Sequence, residues 1–176
     1  MAIRIVLIGP SGCGKTTAAV HLSESLGLAH IWQDVLSEGC RTEEAVVRAI
    51  GSEMTKHQAR GWVFDCNYSV RVADRTWSSA DLVVWLDIRP RQVLLQVARS
   101  ESPFRSISHL AYLAKKLRRS TAQSRSISRR ISTEWCAQVA PRARVVILRS
   151  PSAVERWLWA VTGSFPDLAF LREYRG

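Results

Sequence analysis

One octapeptide constrains this chain more than anything else in it. Gly9-Pro10-Ser11-Gly12-Cys13-Gly14-Lys15-Thr16 satisfies the pattern G-x-x-x-x-G-K-S/T at every fixed position. Its flanks narrow the fold further. Ile3-Arg4-Ile5-Val6-Leu7-Ile8 is a short β-rich apolar run closed by Gly-Pro, which predicts a buried parallel strand. Ala18, Ala19, Leu22 and Leu26 then recur at helical spacing, with Gly27 as a stop, so Lys15–Leu26 reads as a helix. A strand that turns through glycines into a helix N-terminus suits phosphate. Glycines let the backbone curl its amides inward, and the helix adds its positive end. In such a loop Lys15 reaches the β- and γ-phosphates of ATP and the Thr16 hydroxyl ligates Mg2+. The expected nucleotide-binding set is Gly9, Ser11, Gly12, Cys13, Gly14, Lys15, Thr16 and Thr17. The motif does not choose ATP over GTP. Cys13 occupies a variable position, as a small filler or, alternatively, as a redox switch.

Downstream, strand and helix signals alternate. Ala29–Gln33 reads as a second strand, ending at Asp34. Thr42-Glu43-Glu44 opens a helix with a capping hydroxyl followed by first-turn acids, and Val46, Ile50 and Met54 fall four apart. Trp62-Val63-Phe64-Asp65 is a third strand and Leu82–Asp87 a fourth. Pro90 fits the first turn of the next helix. Val145–Leu148 is a fifth strand, and Ser150-Pro151 starts a last helix with Val154, Trp157, Leu158 and Val161. This alternation predicts an α/β domain, a parallel sheet covered by helices on both faces.

The 176 residues fit one domain, residues 1–176. The four cysteines, Cys13, Cys40, Cys66 and Cys136, form no C-x-x-C pair, so incidental thiols in a reducing compartment are expected rather than zinc or disulfides. The N-terminal apolar run is too short for a signal peptide. No apolar stretch approaches the roughly 20 residues that span a bilayer. A cytoplasmic protein is the expectation.

The formal charge of +10 suits a polyanionic partner. Much of it lies in one stretch. Pro103–Thr133 carries Arg105, Lys115, Lys116, Arg118, Arg119, Arg125, Arg129 and Arg130 with no Asp or Glu. Ile107, Leu110, Ala114 and Leu117 mark one apolar face there, and Ile127, Ile131, Trp135 and Val139 another, so two basic amphipathic helices are expected.

Ligands of open α/β sheets bind beyond the carboxyl ends of the strands. Asp34 and Asp65 both follow strands and should face the cleft that the glycine loop marks. Asp65 reads as the acid that orients Mg2+, or as a capping or ion-paired aspartate. Asp34 reads as the group that takes a proton from an acceptor hydroxyl, as a hydrogen-bond acceptor for it, or as a structural residue. Asp87 reads as a helix cap ahead of Arg89-Pro90. Arg71 and Arg75 suit bidentate phosphate or carboxylate contacts, with a solvated surface as the alternative. The four histidines receive no role.

The chain resembles the adenylate-kinase-like P-loop kinases and, more narrowly, the bacterial proteins labelled DNA topology modulation proteins. The resemblance rests on Ile5–Thr17, on Trp62-Val63-Phe64-Asp65-Cys66-Asn67-Tyr68-Ser69, on Ala80–Asp87 and on Val145–Ser150. It implies a three-layer α/β/α P-loop fold with a five-stranded parallel sheet in the order 2-3-1-4-5. It also implies a mobile lid after the fourth strand, which places the basic helices in an insertion at about residues 101–135. Lid arginines of such kinases close over the transferring phosphate, which suggests a catalytic task for Arg99 and for one or more of Arg105, Arg118, Arg119 and Arg125. The acceptor would lie between the first and third strands, with Asp34, Asn67, Arg71 and Arg75 as its binding set. Cys66 stands where this family usually has glycine, and Pro103–Thr133 departs from the family's lid pattern.

The expected catalytic set is thus Lys15, Asp34 and Arg99, with Thr16 and Asp65 for the metal. The leading expectation is an ATP- and Mg2+-dependent kinase acting on a small-molecule hydroxyl or a nucleotide phosphate. The first alternative is a nucleic-acid-binding ATPase or polynucleotide 5′-hydroxyl kinase, motivated by the basic helices. The second is a nucleotide-binding switch without turnover.

Overall fold

A computed structural model of the chain describes residues 2–66, 70–93 and 138–163, with isolated positions 95, 115, 118 and 122. Five strands form one sheet: β1 (Arg4–Ile8), β2 (Ala29–Trp32), β3 (Trp62–Asp65), β4 (Leu82–Leu86) and β5 (Arg144–Leu148). All pairings are parallel and the order is β2-β3-β1-β4-β5. That is the expected fold class and the expected strand order.

The inner strands β3, β1 and β4 lack a polar face because both of their faces are covered. Ile5 and Leu7 of β1 pack with Ala18, Ala19 and Leu22 of helix α1 (Lys15–Leu26) and with Val154 and Leu158 of the last helix. Val6 and Ile8 point the other way, into a cluster with Ile50 and Met54 of α3 (Glu43–Lys56) and with Val72, Ala73 and Trp77. Side chains alternate along a strand, so two covered faces need an unbroken apolar run. Trp62 and Trp77 are fully buried, and each such side chain contributes on the order of 3 kcal/mol.

Two helices were not expected. Gln33–Ser37 forms a short helix, α2, so the second strand stops at Trp32 rather than Gln33. Asp34 is therefore in the first turn of a helix, where the helix dipole favours a carboxylate, and not at the strand tip. Val70–Thr76 forms α4, continued by a 3-10 turn at Trp77–Ser79. Its buried side, Val72, Ala73, Thr76 and Trp77, follows the i, i+1, i+4, i+5 rhythm of a helix. The last helix, α5 (Pro151–Thr162), starts at Ser150 as read from the sequence. Residues 90–93 are helical, as the proline predicts.

Of the basic stretch, Lys115, Arg118 and Ala122 are helical and exposed. The remainder of the expected lid, including Arg99, Arg105, Arg119 and Arg125, lies outside the described residues. So do Asn67 and the side chains of Arg71 and Arg75.

Candidate functional site

The glycine loop joins β1 to α1 at the carboxyl edge of the sheet, and close packing fixes its path. A Cβ on Gly9 would lie 2.8 Å from both the Cys13 Sγ and the Leu86 carbonyl oxygen. Gly14 enters the helix at φ 93°, a left-handed conformation that a side chain resists.

The start of α1 differs from those of α3 and α5. Helix α3 is capped by Thr42, whose side chain accepts from the Ala45 amide, and Glu43 and Glu44 sit in its first turn. Ser150 caps α5 through the Ala153 amide. Helix α1 has neither device, with no side-chain cap and no acid in its first turn. The Ala18 amide bonds back to Gly14; the amides ahead of it are those a helix cannot satisfy internally. An uncapped, unneutralised helix start is suited to an anion.

Lys15 stands at this point, 7% exposed. Its Nζ donates to the carbonyls of Gly9 (3.1 Å) and Pro10 (3.2 Å). Among the described residues no carboxylate forms an ion pair with it. A buried ammonium held only by carbonyls is a charge prepared for a counter-anion. Beside it, Thr16 Oγ1 donates to Asp65 Oδ2 at 2.5 Å. Asp65 is 4% exposed at the end of β3. The two residues expected to hold the metal, loop Thr16 and strand-end Asp65, are thus in hydrogen-bond contact although 49 positions separate them. Among the described residues no group of three or more His, Cys, Asp or Glu could hold a metal ion. The Thr16–Asp65 pair fits magnesium nevertheless, because that ion is usually held by one or two protein oxygens together with phosphates and waters.

Cys13 is buried, and burial pushes its thiol up, with the Lys15 charge acting the other way. A protonated, enclosed thiol behaves as a filler. Cys66 is likewise buried directly after β3. Asp87 is not the cap of the helix at residues 90–93. The Arg89 carbonyl accepts from the amides of Gln92 and Val93, and the Asp87 carboxylate lies 3.6 Å from Arg149 Nε. Asp34 is exposed in α2.

The sequence reading missed His30 and Trp32. They stand two apart on β2 with their rings stacked, centroids 5.6 Å apart at 12°. Trp32 is in register with Asp65. Burial lowers the His30 pKa while the Asp65 charge raises it, and the net direction is down. The imidazole therefore stays neutral at pH 7. Nothing in the sequence singles the pair out, because i, i+2 is the spacing of side chains on one face of any strand.

No protein-family model matches the chain, and no curated protein matches it. Solved structures do. A sugar kinase from Janibacter sp. HTCC2649 superposes with a TM-score of 0.54 over 92% of this chain and 96% of its own, at 18% identity. A gluconokinase from Sinorhizobium meliloti 1021 gives a TM-score of 0.54 over 98% and 93%, also at 18% identity. The chain has a P-loop kinase-like fold. Within that fold, the Gly9–Thr16 loop, Asp65 and the β2 end all occupy the carboxyl edge of the sheet. No helix among the described residues is long and apolar enough to cross a membrane.

Proposed function

We propose that the chain is a magnesium-dependent P-loop kinase that moves the γ-phosphoryl group of ATP to a small-molecule acceptor, a hydroxyl or a nucleotide phosphate. The observation that carries this reading is the conjunction at the loop. An uncapped helix start, a buried Lys15 and a Thr16–Asp65 pair lie within a few residues of one another. A switch protein needs the same loop, so the fold of the neighbours, a sugar kinase and a gluconokinase, supports turnover. The sequence resemblance to the DNA topology modulation proteins supports the same class.

In this reading the loop amides and Lys15 hold the phosphates, and the ammonium stabilises charge on the transferring group. Thr16 and Asp65 would hold magnesium, which when bound neutralises the phosphate oxygens. The acceptor oxygen bonds to the γ-phosphorus as the bond to the bridging oxygen breaks. ADP leaves with that electron pair, and the proton of an acceptor hydroxyl passes to Asp34. Arg99 and lid arginines close over the transferring group. Asn67, Arg71 and Arg75 complete the acceptor's surroundings.

The test is a transfer screen with γ-labelled ATP over sugars, polyols, nucleosides, nucleotides and amino alcohols, with oligonucleotide 5′ ends included. Label on a small molecule is expected. Label on oligonucleotide ends alone transfers the assignment to a polynucleotide kinase. ATP binding without label transfer to anything removes the kinase reading.

A further inference from the structure

Helix α3 carries a glycine that its own geometry does not require. Gly51 lies inside the 14-residue run Glu43–Lys56. A glycine in a helix interior costs stability relative to alanine, because the backbone it orders is freer when unfolded. Two circumstances normally justify one, a positive φ or a neighbour too close for a side chain. Gly51 is not among the positive-φ glycines, and a Cβ built on it would meet no neighbouring atom within 4 Å among the described residues. At Gly61, by contrast, a Cβ would lie 2.5 Å from the Ile3 carbonyl oxygen. What the missing side chain leaves at Gly51 is space. The residue lines a cavity of about 200 Å3, and all nine residues around that cavity are described.

The cavity belongs to the amino end of the sheet. Arg4 and Trp62, the first residues of β1 and β3, are in register and both line it. Gly51, Met54 and Thr55 bring one face of α3 to it at i, i+3, i+4 spacing. Thr76 of α4 and Ser79 of the following 3-10 turn close another side. The phosphate loop begins beyond Ile8, roughly 13 Å away along β1 at the usual rise per residue. A molecule in this cavity therefore does not share the phosphoryl site.

The lining selects the molecule. Arg4 is the sole charged residue among the nine, and Asp81 pairs with it. An ionised ligand would give up its hydration and find no counter-charge. Three hydroxyls have their protons engaged: Thr55 donates to the Gly51 carbonyl at 2.8 Å, Thr76 to Val72 at 2.6 Å and Ser79 to Thr76 at 3.4 Å. They offer lone pairs, so the ligand must bring N–H or O–H donors. Asp81 takes two guanidinium N–H groups of Arg4, and the others suit a carbonyl acceptor. Met54 and Trp62 supply the apolar part of the wall. Thioether and indole both favour an aromatic ring. The volume matches roughly seven waters, the bulk of one substituted six-membered ring.

We propose that this cavity is a second binding site, for an uncharged aromatic ring bearing N–H donors and a carbonyl, the chemistry of a pyrimidine base, and that Gly51 is glycine to keep it open. The site is independent of the kinase reading and stands with or without phosphoryl transfer.

The experiment is saturation-transfer NMR on the full chain, with a non-hydrolysable ATP analogue and Mg2+ in excess to occupy the phosphate loop. The probes are uracil, cytosine, dihydrouracil and orotate. Saturation of the ring C–H protons of uracil and cytosine is expected. Dihydrouracil keeps the amide groups without the aromatic ring, and orotate adds a carboxylate to it; each should show at least fivefold less. Gly51→Leu fills the space and should reduce the uracil signal at least tenfold, with folding checked by circular dichroism. Should Gly51→Leu fail to fold, Thr55→Val decides: the signal should fall at least threefold there and stay within twofold in Thr55→Ser. Gly51→Ala should raise the melting temperature by about 2–4 °C. A lower melting temperature would mean that α3 needs the glycine for its own path, which removes the reason for an open cavity. Uracil that saturates equally in folded Gly51→Leu or in Thr55→Val, or not at all, overturns the site. Orotate binding as well as uracil overturns the uncharged ligand, and dihydrouracil binding as well as uracil overturns the aromatic one.

Discussion

The two ends of the sheet handle charge in opposite ways. At the amino end, Arg4 on β1 meets Asp81 just before β4. Its Nε and Nη2 donate to the two carboxylate oxygens at 2.9 and 2.7 Å, and its backbone amide adds a third bond at 2.9 Å. Cation and anion cancel. At the carboxyl end, Lys15 is buried against two carbonyls and Asp65 accepts from a hydroxyl. There a positive and a negative charge occupy one site, and each is held by a neutral partner. Both ends join residues far apart in sequence. The closed pair stabilises the fold and leaves no net charge. In the proposed function the open end would keep a cation for phosphate and an anion for a metal, as phosphoryl transfer from a magnesium nucleotide requires.

The largest expected effect tests the open end directly. Lys15→Ala should lower phosphoryl transfer by roughly 10³-fold or more, the scale of a cation acting on a transferring phosphoryl group, and should weaken ATP binding. The fold should persist, because Lys15 belongs to neither apolar cluster that holds the sheet and helices together. Calorimetry with ATP and circular dichroism provide the readings. A folded variant with unchanged affinity and turnover would remove the phosphate-loop assignment and, with it, the contrast between the ends.

Metal dependence separates the two aspartates. Asp65→Asn keeps an acceptor for Thr16 but loses the charge, so the Mg2+ concentration for half-maximal activity should rise roughly 10- to 100-fold. Asp34→Asn should leave the Mg2+ curve in place and reduce transfer to a hydroxyl acceptor by about 10²-fold. Paired Mg2+ titrations decide between them. A shifted curve for Asp34→Asn with an unshifted one for Asp65→Asn reverses the two roles. No effect from either makes both residues structural.

The phosphate loop was legible in sequence because its parts are consecutive and its glycines answer local geometry. The inner strands were legible because burial on both faces leaves an unbroken apolar run. Strand order came from resemblance, since nothing local in Leu82–Leu86 says that it pairs with Ile5–Ile8 rather than with Ala29–Trp32. Helix α2 was hidden because it buries none of its five residues, so no apolar period announces it. Helix α4 has a period, but in only seven residues. The Thr16–Asp65 meeting followed from the strand-end rule. The His30–Trp32 stack did not, because its i, i+2 spacing is that of any strand, and neither the exposure of Trp32 nor its register against Asp65 is a local property.

The smallest expected effect lies at the closed end and follows from its pairing. The Arg4 guanidinium, chiefly through its hydrogen bonds, holds the Asp81 carboxyl below its ordinary value of 3.8. A depressed carboxylate pKa means that the unfolded chain binds the proton more readily. Stability from this pair is therefore complete above the unfolded value and is lost as pH falls through the lower folded one. The side chains of Arg4 and Asp81 are 26% and 36% exposed, so solvent screens the pair and its worth at pH 7 is about 1 kcal/mol or less. Asp81→Asn should lower the urea midpoint at pH 7 by that free energy divided by the slope of unfolding, the slope itself unchanged. The gap between wild type and variant should narrow as pH falls below the ordinary carboxylate range, and it should shrink in 1 M salt. Nucleotide affinity should be unmoved, because the pair sits at the opposite end of β1 from the loop. A gap that stays constant from pH 7 into acid would mean that Asp81 acts through its shape rather than its charge. A loss of ATP affinity would mean that the two ends are coupled, and the contrast between a closed end and an open end would no longer hold.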